Sequence, residues 1–118
     1  MNEFHIKKTN TTPEVLFKGD LVLFSGRCIP DYLLNFYAPI IEQLKKCIEK
    51  KSINKIVFDL DYINTASSSK FFEIFKLFSD ANLTEVEWIY EKDDEEILET
   101  GKDYEKMFTK LNFKFTEK

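Results

Sequence analysis

The sequence predicts an α/β sandwich: one mixed sheet of four to five strands with helices packed against it. Three observations carry this. Apolar residues recur at intervals of three and four over residues 33–48 but at two over 56–62, so the chain switches between helical and strand periods. After an opening hairpin, strand-like and helix-like segments alternate, the order expected of parallel strands joined by crossovers. A length of 118 residues suits one ordinary domain, taken here as residues 1–118, and is short for two.

The first thirteen residues, ending "KKTNTTP", read as an irregular lead-in with room for a short edge strand. "EVLFKGDLVLFSG" holds two strand-like runs, Val15 to Phe17 and Leu21 to Phe24, and Gly19-Asp20 between them suits a tight hairpin turn. Leu33, Leu34, Tyr37, Ile40, Ile41, Leu44, Cys47 and Ile48 mark a long amphipathic helix over about Asp31 to Lys50. Pro30 and Asp31 suit its first turn and Lys45, Lys46, Lys50 and Lys51 its end. Pro39 falls inside it and is expected to bend or restart it. "KIVFDLDYI" alternates, placing Ile56, Phe58, Leu60 and Tyr62 on one face and Val57, Asp59 and Asp61 on the other. Phe71, Ile74, Phe75 and Phe78 give a second helix starting near Ser67, and "VEWIY" the next strand. A third helix is expected around Glu95 to Lys110, interrupted near Gly101, before a last strand at "FKF".

Composition excludes several classes. An apolar share of 43% with twelve Phe supports a packed core. No window approaches about 20 uncharged apolar residues, and "MNEFHIKKTN" has no apolar signal core, so neither a membrane span nor secretion is expected. Cys28 and Cys47 have no motif spacing and read as reduced thiols of a cytoplasmic protein. Of the net charge of −4, residues 91–105 contribute −6 and the remainder +2. No basic stripe exists, and a nucleic-acid partner is set aside.

The most informative stretch is "NTASSSK", Asn64 to Lys70, at the junction of strand and helix. Ser, Thr and Asn are preferred helix N-caps, but one residue suffices for a cap. The remaining hydroxyls leave two readings open: simple capping, or a polar site for phosphorylation or partner contact, where free backbone N–H groups and the helix dipole favour an anion. A catalytic serine lacks support. The one histidine, His5, is remote in sequence, no nucleophile elbow occurs, and glycines only at 19, 26 and 101 allow no phosphate loop. Not an enzyme, with no cofactor and no metal, is the resulting expectation. The acidic run, including Asp93, Asp94 and Glu95, lacks the alternation of a calcium loop. It reads as a solvated helix start or a docking surface for a basic partner.

The chain resembles the SiaC family of bacterial regulatory phosphoproteins, which are similar to STAS-type anti-sigma-factor antagonists. The resemblance rests on "TTPEVLF", "SGRCIPDYLLNFYAPII", "YINTASSSKFFEI", "VEWIYEKDDEEILETGKDYEKM" and "NFKF", in that order along most of the chain. Asp31 stands where the family usually has Glu, Gln43 where Trp is common, and Ala66 separates Thr65 from the serines. The resemblance implies a STAS-like fold and a partner switch. It implies that a cognate serine/threonine kinase phosphorylates Thr65, with Ser67 as fallback, and that a phosphatase reverses this. The unmodified form would bind a client signalling enzyme, as a family member does a diguanylate cyclase. Asn64, Ser67, Ser68, Lys70, Asp93, Asp94 and Glu95 are the expected partner contacts. The alternatives are a constitutive binding module of the same fold, which Ala66 favours, and an anti-sigma-factor antagonist acting on transcription.

Overall fold

The structure, a computed structural model, describes residues 4–29, 33–83 and 85–118. Strands β1 (Phe4–Ile6), β2 (Glu14–Lys18) and β3 (Leu21–Cys28) precede helix α1 (Leu33–Glu49). Strand β4 (Lys55–Ile63), helix α2 (Thr65–Asp80), strand β5 (Glu85–Tyr90), helix α3 (Glu95–Met107) and strand β6 (Asn112–Glu117) follow. The strands lie in chain order in one sheet. The β1–β2 and β2–β3 pairs are antiparallel, and β3–β4, β4–β5 and β5–β6 are parallel. The α/β architecture with a mixed sheet is as expected, but with six strands rather than four to five, because the lead-in supplies edge strand β1.

Right-handed crossovers taken in one direction across a sheet place every helix on the same face. Burial shows it. Val22, Phe24, Ile56, Phe58, Val86 and Trp88 are fully or almost fully buried beneath the helices, while on the other face Leu23, Asp59 and Glu87 stay part-exposed and Val57, between Leu23 and Glu87, keeps 8% exposure. At the hairpin, Lys18 pairs with Leu21, leaving Gly19-Asp20 as a two-residue turn. Gly19 has the positive φ (+60°) that such a turn requires.

Phe58, on central strand β4, is the hub of the core. Its ring lies 5.1 Å from Phe24, 5.0 Å from Phe71, 5.2 Å from Phe75 and 5.3 Å from Trp88, centroid to centroid. Phe71, Ile74, Phe75 and Phe78, spaced three and four apart, press one side of α2 into this cluster.

Four expectations are corrected. Of the two outcomes expected at Pro39, the restart is ruled out because α1 is one helix through it, and the expected start at Pro30 and Asp31 lies outside the described residues. Helix α2 begins at Thr65, not near Ser67, because Asn64 takes the capping position. Tyr62 does not join the buried face but is 45% exposed. The register shifts as Gly26 pairs with Leu60 and Arg27 with Tyr62, so Asp61 is an extra residue that reverses the side chains beyond it. Gly101 does not interrupt α3 but sits inside it, buried. A Cβ there would lie 2.6 Å from Nε1 of Trp88, whose N–H donates to Ile97 O at 2.9 Å. The glycine lets α3 lie directly on the indole.

Gly101→Ala tests this contact. Alanine favours a helix interior by about 1 kcal/mol over glycine, whereas overpacking costs about 1–3 kcal/mol. With the indole held by both Ile97 and the core, the clash should win. We expect a lower urea midpoint for Gly101→Ala, and an unchanged or higher one would refute the contact.

Candidate functional site

The predicted corner forms where β4 gives way to α2. The bulge at Asp61 turns the chain, and Asn64 N donates to Cys28 O at 3.1 Å, tying the corner to the end of β3. Asn64 is extended (φ −85°, ψ 161°), and its Oδ1 accepts from Ser67 N at 2.8 Å. Its carbonyl accepts from Ser68 N at 3.2 Å. The helix is therefore capped by a carboxamide. Thr65 is the first helical residue; its side chain and that of Ala66 lie outside those described.

The serines have separate environments. Ser67 is fully buried, turned toward the Cys28 thiol and the Tyr37 hydroxyl, which hydrogen-bond each other. The Ser67 hydroxyl eases the ionisation of both, yet reaches hydrogen-bond geometry with no described atom. Burial outweighs this help and raises both groups above their ordinary values, so thiol and phenol stay protonated. A protonated buried thiol is no nucleophile. Ser68 Oγ lies 2.6 Å from the hydroxyl of Tyr104 on α3, and Tyr104 also donates to Ser68 O at 2.8 Å. Ser68, Ser69, Phe72, Tyr104 and Met107 line a shallow groove between α2 and α3, whose walls Phe72 and Met107 are about half exposed.

Of the charged residues expected here, Lys70 reaches Glu73 at 2.9 Å, one helical turn on. Asp94 caps α3, its Oδ1 accepting from Ile97 N at 3.1 Å, while Asp93 and Glu95 are exposed. Helices α2 and α3 both start at the carboxyl ends of neighbouring parallel strands. The hydroxyl run and the acidic run thus share one edge of the sheet, the edge where α/β proteins place their ligands. At that edge Lys118 Nζ binds Asp59 at 2.7 Å, with Asp61 at 3.5 Å and Glu91 at 3.7 Å. The Asp59 hydrogen bond, chiefly, raises the lysine above its ordinary value.

Among the described residues no group of three or more His, Cys, Asp or Glu is arranged to hold a metal ion. Cys28 and Cys47 are free and buried. His5 is on edge strand β1, paired with Glu14 at 2.6 Å and three strands away from β4. Among the described residues no helix is long and apolar enough to cross a membrane.

Sequence reasoning passed over Tyr104, which stands 36 residues from Ser68. A signal was present: Ile97, Gly101 and Tyr104 recur at four and three, the buried stripe of α3, and Phe108 just past its end continues the spacing.

The sequence model of the SiaC family regulatory phosphoproteins matches residues 6–118. The chain belongs to the SiaC family. Solved structures agree on the SiaC fold. The crystal structure of diguanylate cyclase SiaD in complex with its activator SiaC, from Pseudomonas aeruginosa, matches with a TM-score of 0.86 and 17% identity, covering 98% of this chain and 100% of that one. Apo-SiaC of the same organism gives 0.78 and 17%, covering 100% and 99%. A third structure, SiaC of Pseudomonas aeruginosa, gives 0.81 and 18%, covering 98% and 97%. At these identities the likeness is one of fold. A comparison with curated proteins gives no significant match. The SiaC family is one of regulatory phosphoproteins, and the corner at Asn64 is where this chain's hydroxyls meet a helix N-terminus.

Asn64→Ala should cost about 1 kcal/mol of stability by removing the cap, read as a lower denaturation midpoint, while Asn64→Asp should retain most of it. Equal midpoints for all three proteins would contradict the capping role.

Proposed function

We propose that this protein is a non-enzymatic, cytoplasmic partner switch, reversibly phosphorylated on Thr65. A cognate serine/threonine kinase adds the phosphate and a phosphatase removes it. The unmodified form binds and controls a client signalling enzyme. The observation that carries this reading is the position of Thr65: the first residue of a capped helix, in a SiaC family phosphoprotein. A phosphoryl group there meets the free N–H groups and positive dipole end of α2. Thr65 is preferred to Ser67 because Ser67 is fully buried and faces the core. Asn64, Ser68, Lys70, Asp93, Asp94 and Glu95 flank this corner or share its sheet edge, and they form the proposed contact region.

The structure of a diguanylate cyclase with its activator SiaC supports a client of that kind. The switch needs no change of fold. Phosphorylation adds about −1.5 to −2 charges at pH 7, and a partner that desolvates the corner must then desolvate that charge. Each 1.4 kcal/mol of penalty weakens binding about tenfold. The acids Asp93 and Glu95 on the same edge add repulsion to any acidic partner surface.

Two measurements test the reading. Incubation with the cognate kinase and site mapping by mass spectrometry should place phosphate within residues 64–69, on Thr65. Phosphate only outside that range, or none, would leave a constitutive binding module instead. Thr65→Glu should bind the client at least tenfold more weakly than Thr65→Ala, by titration calorimetry. Equal affinities would remove the electrostatic switch.

A further inference from the structure

The run Thr65-Ala66-Ser67-Ser68-Ser69 presents a kinase with four hydroxyls, and the family resemblance that points to Thr65 gives no physical reason why the others are passed over. The structure separates them. Ser67 is buried. Ser68 is engaged through both its side chain and its backbone: Tyr104 donates to its carbonyl at 2.8 Å, and its Oγ lies 2.6 Å from Tyr104 Oη. A phenol has one hydrogen, already committed to the carbonyl, so the Ser68 hydroxyl is the donor in the second bond.

We infer that Tyr104 is a specificity-determining residue for the modification corner: it holds the Ser68 hydroxyl and so leaves Thr65 as the acceptor. This rests on the phosphorylation reading given above.

Phosphoryl transfer requires the acceptor oxygen to attack the γ-phosphorus of the kinase's nucleoside triphosphate. Its proton passes to a kinase base and the nucleoside diphosphate leaves. The Ser68 proton is instead bonded to Tyr104, and the oxygen must part from the phenol before it can react. The phenol cannot readily swing aside. Tyr104 is 3% exposed, its ring 4.7 Å from Phe75 and 6.0 Å from Trp88. Burial pushes its pKa up to about 12, which keeps the proton in place at the pH values where kinases act. Ser69 lies a full turn inside α2, so drawing it into an extended form would break the first-turn hydrogen bonds. Thr65 is at the end of the helix, where the fewest such bonds are lost.

Tyr104→Phe removes the phenol oxygen and keeps the ring. Wild type, Tyr104→Phe and Tyr104→Phe/Ser68→Ala are each incubated with the cognate kinase and ATP, and the phosphate is mapped by mass spectrometry. Wild type should carry phosphate on Thr65. In Tyr104→Phe the share on Ser68 should rise about fivefold, the factor that one typical hydrogen bond confers. The double variant should lose that second site. Phosphate on Thr65 alone in Tyr104→Phe, or a Ser68 share in wild type as large as that in Tyr104→Phe, overturns this inference and leaves the function standing. No phosphate at residues 64–69 in any of the three overturns both.

Discussion

The packing of α2 against Phe58 is the constraint on which the rest depends. Phe58 sits on the central strand and touches rings from β3, α2 and β5. Its contacts with Phe71 and Phe75 fix both the height and the rotation of α2 over the sheet. Once that rotation is set, the polar first turn follows: Ser67 must face the Cys28–Tyr37 pair, and Ser68 must face α3. A Phe-to-Ala truncation in such a core typically costs about 3–5 kcal/mol, comparable with much of a small domain's net stability. The geometry of the site is thus paid for by the core rather than by the loop itself.

A second dependence runs through Trp88. Its ring lies against Phe58 on one side and beneath α3 on the other. Gly101 removes the side chain that would hold α3 off the indole, and the indole N–H bonds the helix backbone at Ile97. The closeness of α3 to the sheet brings Tyr104 level with the start of α2. Its hydroxyl then joins two helices that come from opposite sides of strand β5 in the chain. A residue distant in sequence thereby shapes the chemistry available at the corner.

The corner divides labour among similar side chains. A carboxamide caps the helix, one serine is enclosed, and one is held by a phenol. What remains is a helix end with favourable electrostatics for an anion beside a half-exposed apolar groove. Such a place is well suited to a charge-controlled contact. Apolar walls reward a neutral partner, and a doubly negative group beside them is costly to desolvate.

Much of this was legible in the residues. Period-two and period-3.6 patterns respond to burial on one face, and the local pattern of apolar residues is enough to specify them. Hence the α/β class, the Gly19-Asp20 turn, the three helices and the strand-to-helix corner at Asn64 could all be read from the chain. The family motifs likewise lie in contiguous stretches. The tertiary structure decided what depends on contact between distant residues. The bulge at Asp61 that exposes Tyr62 comes from pairing with β3. Whether Gly101 breaks or completes α3 depends on Trp88, and the separate fates of Ser67 and Ser68 depend on Cys28, Tyr37 and Tyr104. A run of small polar residues carries no periodicity of its own, so only the packing of neighbouring elements can tell one hydroxyl from the next.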